Sequence, residues 1–120
     1  RMTNMQAALG LAQIERLEEF VARKRKMGAL YQDLLKDHPL LQLPKEKTNY
    51  AENIYWVFGV VLKPNCSFDA IEAMNRLAEF KIGTRPFFYP MHLQPVFNKM
   101  GFFKNVNLPV SETIAERGFY

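Results

Sequence analysis

Apolar and polar residues follow one another along this chain with two different periods, and each change of period marks an element. Thr3-Asn4-Met5-Gln6 has the capping-box form, a hydroxyl followed three residues later by a glutamine, so a helix is predicted to start there. Leu17, Phe20, Val21, Met27, Leu30, Tyr31, Leu34 and Leu35 recur at helical spacing, with no proline before Pro39. The expectation is one helix of about 33 residues, roughly 50 Å long. Its first part differs from the rest. Met5, Ala7, Ala8, Leu9, Gly10, Leu11, Ala12 and Ile14 place apolar groups nearly all round the axis, and several are small enough for close backbone approach. Such a segment is either a buried core helix or a surface for another domain or subunit; residues 5–14 are read as an interface.

Ile54-Tyr55-Trp56-Val57-Phe58-Gly59-Val60-Val61-Leu62 is apolar on both alternating faces and predicts a central strand covered on both sides. Ser67 is the expected N-cap of a second helix, with Asp69 in its first turn, Ile71, Met74, Leu77 and Ala78 as its inner stripe and Gly83 as its stop. Gly83 to Pro90 reads as extended, its two prolines confining it to an edge or an irregular run. Met91 to Asn107 predicts a packed loop with one short helical turn, and Pro109 to Arg117 a last helix with Gly118 past its end. This order gives an α+β fold. A long N-terminal helix and further helices pack on a small, mostly antiparallel sheet, in one domain over residues 1–120, with a third strand expected after Tyr120.

Composition narrows the setting. The chain has 120 residues, 48% hydrophobic and 23% charged, and no apolar run approaches the roughly 20 residues of a membrane span. A lone cysteine, Cys66, cannot form an internal disulfide, and no secretory leader opens the chain, which together favour a cytoplasmic setting without membrane association. The chain starts on Arg1 and closes on Gly118-Phe119-Tyr120, an apolar ending that a solvated tail does not need, so a piece of a longer protein is expected. The net charge of +4 directs attention to Arg23-Lys24-Arg25-Lys26. Four consecutive helical residues point about 100° apart, so a solvated helix surface is favoured over a phosphate-binding stripe. A non-enzymatic module binding RNA or a regulatory ligand stays open as the alternative function.

The chain shows no zinc spacing, no glycine-rich phosphate loop and no nucleophile motif. His38 reads as a loop residue after a helix end and Cys66 as a small turn residue. One segment concentrates chemistry: Thr84-Arg85-Pro86-Phe87-Phe88-Tyr89-Pro90-Met91-His92-Leu93-Gln94-Pro95. A guanidinium there offers a fork for phosphate or carboxylate, aromatic faces suit a sugar or a base, and prolines pre-organise the backbone. By composition alone the same segment could be an aromatic core plug with Arg85 and His92 at its rim.

Three stretches resemble one family. Arg1-Met2-Thr3-Asn4-Met5-Gln6-Ala7-Ala8-Leu9-Gly10 is similar to the end of the pattern G-x-N-x-R-M-T-x-x-Q-A-A-x-G of DegT/DnrJ/EryC1/StrS aminotransferases. Gly83-Thr84-Arg85-Pro86, Tyr89-Pro90 and His92-Leu93-Gln94-Pro95 resemble that family's G-I-x-T-R-x-x-Y-P-P-L-H loop, and Leu108-Pro109-Val110-Ser111-Glu112 its LP-x-[AS]-E helix start. Within the family, Phe87-Phe88-Tyr89-Pro90 and Tyr55-Trp56-Val57-Phe58 look most like the perosamine-synthase branch. The resemblance implies the C-terminal domain of a homodimeric, pyridoxal 5'-phosphate (PLP) dependent transferase. That enzyme moves an amino group from L-glutamate to a keto-deoxy-sugar nucleotide, in nucleotide-sugar and polysaccharide biosynthesis. It also implies that the Schiff-base lysine and the aspartate at the pyridine nitrogen belong to a large domain outside these residues, so these 120 residues alone are expected to bind no PLP and to be inactive. Arg85, Phe88, Tyr89 and His92 are the implied substrate contacts, Phe87 a structural residue, and Arg1 is placed near the cofactor phosphate across the dimer interface. No nucleic-acid partner is implied.

Overall fold

A computed structural model describes residues 1–120. The chain divides into two compact units, residues 1–36 with 45–56, and residues 37–44 with 57–120.

The first unit holds α1 (Asn4–Ile14) and α2 (Leu17–Leu35). The capping box forms as expected: Gln6 N–H donates to Thr3 Oγ1 at 3.3 Å and Thr3 N–H to Gln6 Oε1 at 2.9 Å. The single long helix does not. Arg16 leaves helical geometry at φ −111°, ψ 11°, and its N–H reaches only Gln13 O at 3.2 Å. The reason lies in the charges that follow. A new helix start at Leu17 puts Glu18 and Glu19 in its first turn, where carboxylates favour the positive end of the helix dipole. Arg16 closes on Glu19 through Nε and Nη2 at 3.0 and 3.1 Å, with its guanidinium 4.9 Å from the Phe20 ring centre. The inner stripe of α2 is also narrower than its apolar pattern. Phe20, Val21, Met27 and Leu35 are half-buried and Gly28 is buried, whereas Leu17, Leu30, Tyr31 and Leu34 are exposed.

Gly28 is small for a reason. The Tyr55 ring lies where its Cβ would be, at 2.1 Å. Tyr55 reaches that position by adopting φ 52°, a left-handed conformation costly for a bulky residue, with its N–H held by Asn53 Oδ1 at 2.7 Å. This turn lies at the start of the predicted nine-residue strand, which begins only at Val60. Only Val60–Leu62 is β, and 54–56 instead join the first unit, where Lys24 Nζ donates to Trp56 O at 3.1 Å and Arg25 pairs with Glu52 at 3.4 Å.

The second unit is built on a three-stranded antiparallel sheet, β1 (Leu41–Gln42), β2 (Val60–Leu62) and β3 (Gly118–Phe119), in the order β1-β2-β3. β2 is central, as predicted, and β3 forms at Gly118–Phe119, where the sequence pattern marks only the end of the last helix. α3 (Ala70–Glu79) is capped by Asp69, whose carboxylate accepts from Glu72 N–H at 2.8 Å, so the N-cap is Asp69 and not Ser67. Its inner stripe is Ala70, Ala73, Met74 and Leu77, packed with Val60, Leu62, Cys66 and Phe119; Ile71 and Ala78 face solvent. The left-handed residue after α3 is Lys81 at φ 60°, ahead of Gly83. After a 3-10 turn at Met91–Leu93 come α4 (Pro95–Lys99) and α5 (Pro109–Arg117), the latter with its predicted bounds. No helix is long and apolar enough to cross a membrane.

Candidate functional site

The aromatic loop hangs from β3. Arg85 and Tyr120 exchange backbone hydrogen bonds, Phe87 N–H donates to Gly118 O at 3.4 Å, and Pro86 bridges Phe119. The run therefore lies beside β3 as an irregular edge, with Pro86 between the two donating amides, where no N–H is needed. Phe87 turns inward. Its ring occupies the space that a Cβ on Gly118 or Gly59 would need, at 1.9 and 2.4 Å, and sits 6.0 Å from the Tyr120 ring. Those two glycines exist to admit it. Phe88, next along, is 68% exposed, with its ring 6.1 Å from that of Tyr120; Tyr89 is 57% exposed.

Beyond buried Pro90 the chain closes a 3-10 turn, and His92 is carried inward to 6% exposure. Its Nε2 lies 2.8 Å from Glu112 Oε1. An ionised carboxylate has no proton to give, so the imidazole donates, which satisfies a buried nitrogen that would otherwise be costly. The same Glu112 oxygen accepts from Leu108 N–H at 3.4 Å at the start of α5. The His92 hydrogen bond, and secondarily that of Leu108, hold the Glu112 carboxyl below its ordinary value.

Of the residues singled out in the sequence, Arg85, Phe88, Tyr89 and His92 thus share one short run of backbone, with Arg85, Phe88 and Tyr89 exposed and His92 facing inward. Phe87 is structural. Arg1 is exposed and belongs to the first unit. The basic run makes no stripe: Arg23 pairs with Glu19 at 3.8 Å, Arg25 with Glu52, and Lys24 with the Trp56 carbonyl. His38 sits in a loop, its Nδ1 accepting from Leu40 N–H at 3.3 Å. Cys66 is more than a turn residue, being buried in the sheet core.

Two residues that anchor the structure around this loop carry little mark in the sequence. Glu112 stands within a family-like motif that assigns it no role, and Arg117 stands in none. Arg117 donates to the carbonyls of Leu62, Lys63 and Cys66 at 2.9, 2.7 and 3.1 Å, tying α5 to the end of β2. A basic residue in the last turn of a helix is the only signal for it. A shallow hollow of about 310 Å³ lies between Gln42 and Val61 on the sheet and Pro109, Val110, Thr113 and Ile114 on α5.

The model of the DegT/DnrJ/EryC1/StrS aminotransferase family matches residues 1–120. GDP-perosamine synthase of Escherichia coli O157:H7 is 34% identical over 118 residues, 98% of this chain and 30% of the relative. That of Vibrio cholerae is 32% identical over 118 residues, 98% of this chain and 31% of the relative. The chain therefore spans about a third of the length of these relatives. Among solved structures, E. coli GDP-4-keto-6-deoxy-D-mannose-3-dehydratase with bound hydrated PLP shares the fold, with a TM-score of 0.78 and 24% identity over 96% of this chain and 29% of that one. The family is PLP-dependent. Every lysine of this chain, Lys81 beside the aromatic loop included, is solvent-exposed, so none sits in the enclosed, desolvated pocket that a Schiff-base amine needs.

Proposed function

The chain belongs to the DegT/DnrJ/EryC1/StrS aminotransferase family, and we propose that it is the C-terminal part of a PLP-dependent enzyme that aminates a keto-deoxy-sugar nucleotide at the expense of L-glutamate. The similarity to perosamine synthases, which runs almost from end to end and includes the loop at 84–95, carries this reading. GDP-4-keto-6-deoxymannose is the substrate it favours, with nucleotide-sugar and polysaccharide biosynthesis in the cytoplasm as the setting.

In this reading PLP supplies the electron sink for amino transfer and is held by residues outside this chain. The part played by these 120 residues is recognition. Arg85 offers a fork of N–H donors to a phosphate or a sugar hydroxyl, while the open faces of Phe88 and Tyr89 suit the sugar ring or the base, with His92 set behind them. Holding the keto carbon still against the cofactor raises the rate by proximity and orientation rather than by a reacting group from this chain. Arg1 belongs near the cofactor phosphate at a homodimer interface, and α1 supplies apolar surface to that interface or to the rest of the subunit.

The test uses the full-length protein, loaded with PLP and given L-glutamate and GDP-4-keto-6-deoxymannose. Formation of 2-oxoglutarate and of an amino sugar nucleotide in equal amounts is expected. A product that lacks nitrogen, or no consumption of glutamate, overturns the proposed reaction.

A further inference from the structure

We propose that Glu112 is a positioning residue for the sugar-nucleotide site: its carboxylate holds the buried His92 ring and so fixes the outward faces of Phe88 and Tyr89. This rests on the function proposed above for the loop. The loop is tied to the rest of the unit a few residues apart, at Arg85 and Phe87 by backbone bonds to Tyr120 and Gly118 at the β3 end of the chain and at His92 by Glu112, and within itself by Gln94 Nε2, which donates to Tyr89 O at 3.5 Å. Phe88 and Tyr89 lie between the two ties, and they are the exposed aromatics. Both ties lead to one piece of structure, because α5, which carries Glu112, runs directly into β3 at Gly118.

Glu112 is itself well placed to be rigid. It stands in the first turn of α5, with Pro109 at the first helical position, and its Oε1 also takes the Leu108 N–H. At the other end of the helix Arg117 is fastened to three carbonyls around the end of β2. His92 is buried on the inner side of its turn, so Glu112 acts through the imidazole and not on the substrate. A short span fixed at both ends has few conformations left to lose when a sugar nucleotide binds, and that is where its contribution to affinity would come from.

Full-length enzyme carrying Glu112→Ala or Glu112→Gln tests this with two readouts, steady-state kinetics and amide hydrogen exchange. For Glu112→Ala, KM for GDP-4-keto-6-deoxymannose is expected to rise about tenfold, the scale of one buried donor left unsatisfied, while KM for L-glutamate stays the same. Exchange should quicken across residues 85–95 but not across α2. Glu112→Gln keeps an oxygen that accepts the same two hydrogen bonds without charge assistance, so it should recover most of the affinity, leaving a rise of about threefold. If the alanine protein does not fold, the glutamine variant carries the test by the same two readouts. Unchanged sugar KM and unchanged exchange at 85–95 overturn the proposal, and so do equal losses toward both substrates with faster exchange throughout, which would mark a merely structural residue. Faster exchange at 85–95 in a protein that does not aminate sugar nucleotides at all supports the anchoring and overturns the reaction instead.

Discussion

α1 and α3 are helices of similar length with opposite relations to their surroundings. α3 is evenly balanced between apolar and polar residues but sharply two-sided, and Ala70, Ala73, Met74 and Leu77 face the sheet core. α1 is the more apolar of the two, yet none of its residues is buried; Met5 is 77% and Ile14 69% exposed. The contrast separates two uses of apolar residues. A stripe at three- and four-residue spacing is a statement about the helix's own core, whereas apolar groups all round the axis can only be satisfied by surfaces on several sides. The matched region makes up about 30% of the length of the Escherichia coli perosamine-synthase relative.

The comparison can be broken most severely at β2. Leu62→Ala removes a side chain packed in the sheet core and should cost about 2–5 kcal/mol in urea unfolding; a loss well under that would show that the core lies elsewhere. A smaller effect is expected in acid. Because His92 and Leu108 lower the Glu112 carboxyl in the folded protein, the stability it contributes is complete above the usual carboxylate range and is lost as pH falls through the lowered value. Glu112→Gln cannot titrate, so unfolding midpoints measured below about pH 4.3 should fall less steeply with pH than in the parent. The smallest change in stability belongs to α1. Leu9→Ser should alter unfolding free energy by no more than about 0.5 kcal/mol. It should nonetheless weaken concentration-dependent association of the 120-residue chain in sedimentation, and an unchanged sedimentation profile would argue that α1 is not an adhesive surface.

Several features are legible in the order of residues alone. Pro109 and Gly118 bound α5 residue for residue, Thr3 and Gln6 place the start of α1, and the apolar run ending in Val60-Val61-Leu62 supplies the central strand. The candidate loop is legible too, since prolines, aromatics and a guanidinium are crowded there. Other features are not. The break at Arg16 has no proline or glycine to announce it and follows from a contest between helix continuity and the placement of Glu18 and Glu19 at a fresh helix start. The shortening of the strand at Tyr55 depends on Gly28, far back in the chain on another element.

By itself, then, the sequence determined the family, the α+β class, several local starts and stops and the segment proposed for the site, because capping, proline geometry and hydrophobic periodicity act between residues a few positions apart. Tertiary structure alone decided which aromatics face out, that Phe87 fills the space above Gly59 and Gly118, and that His92 turns inward to a glutamate 20 residues away. Burial and hydrogen-bond satisfaction are properties of groups brought together by the fold, and no local pattern records them.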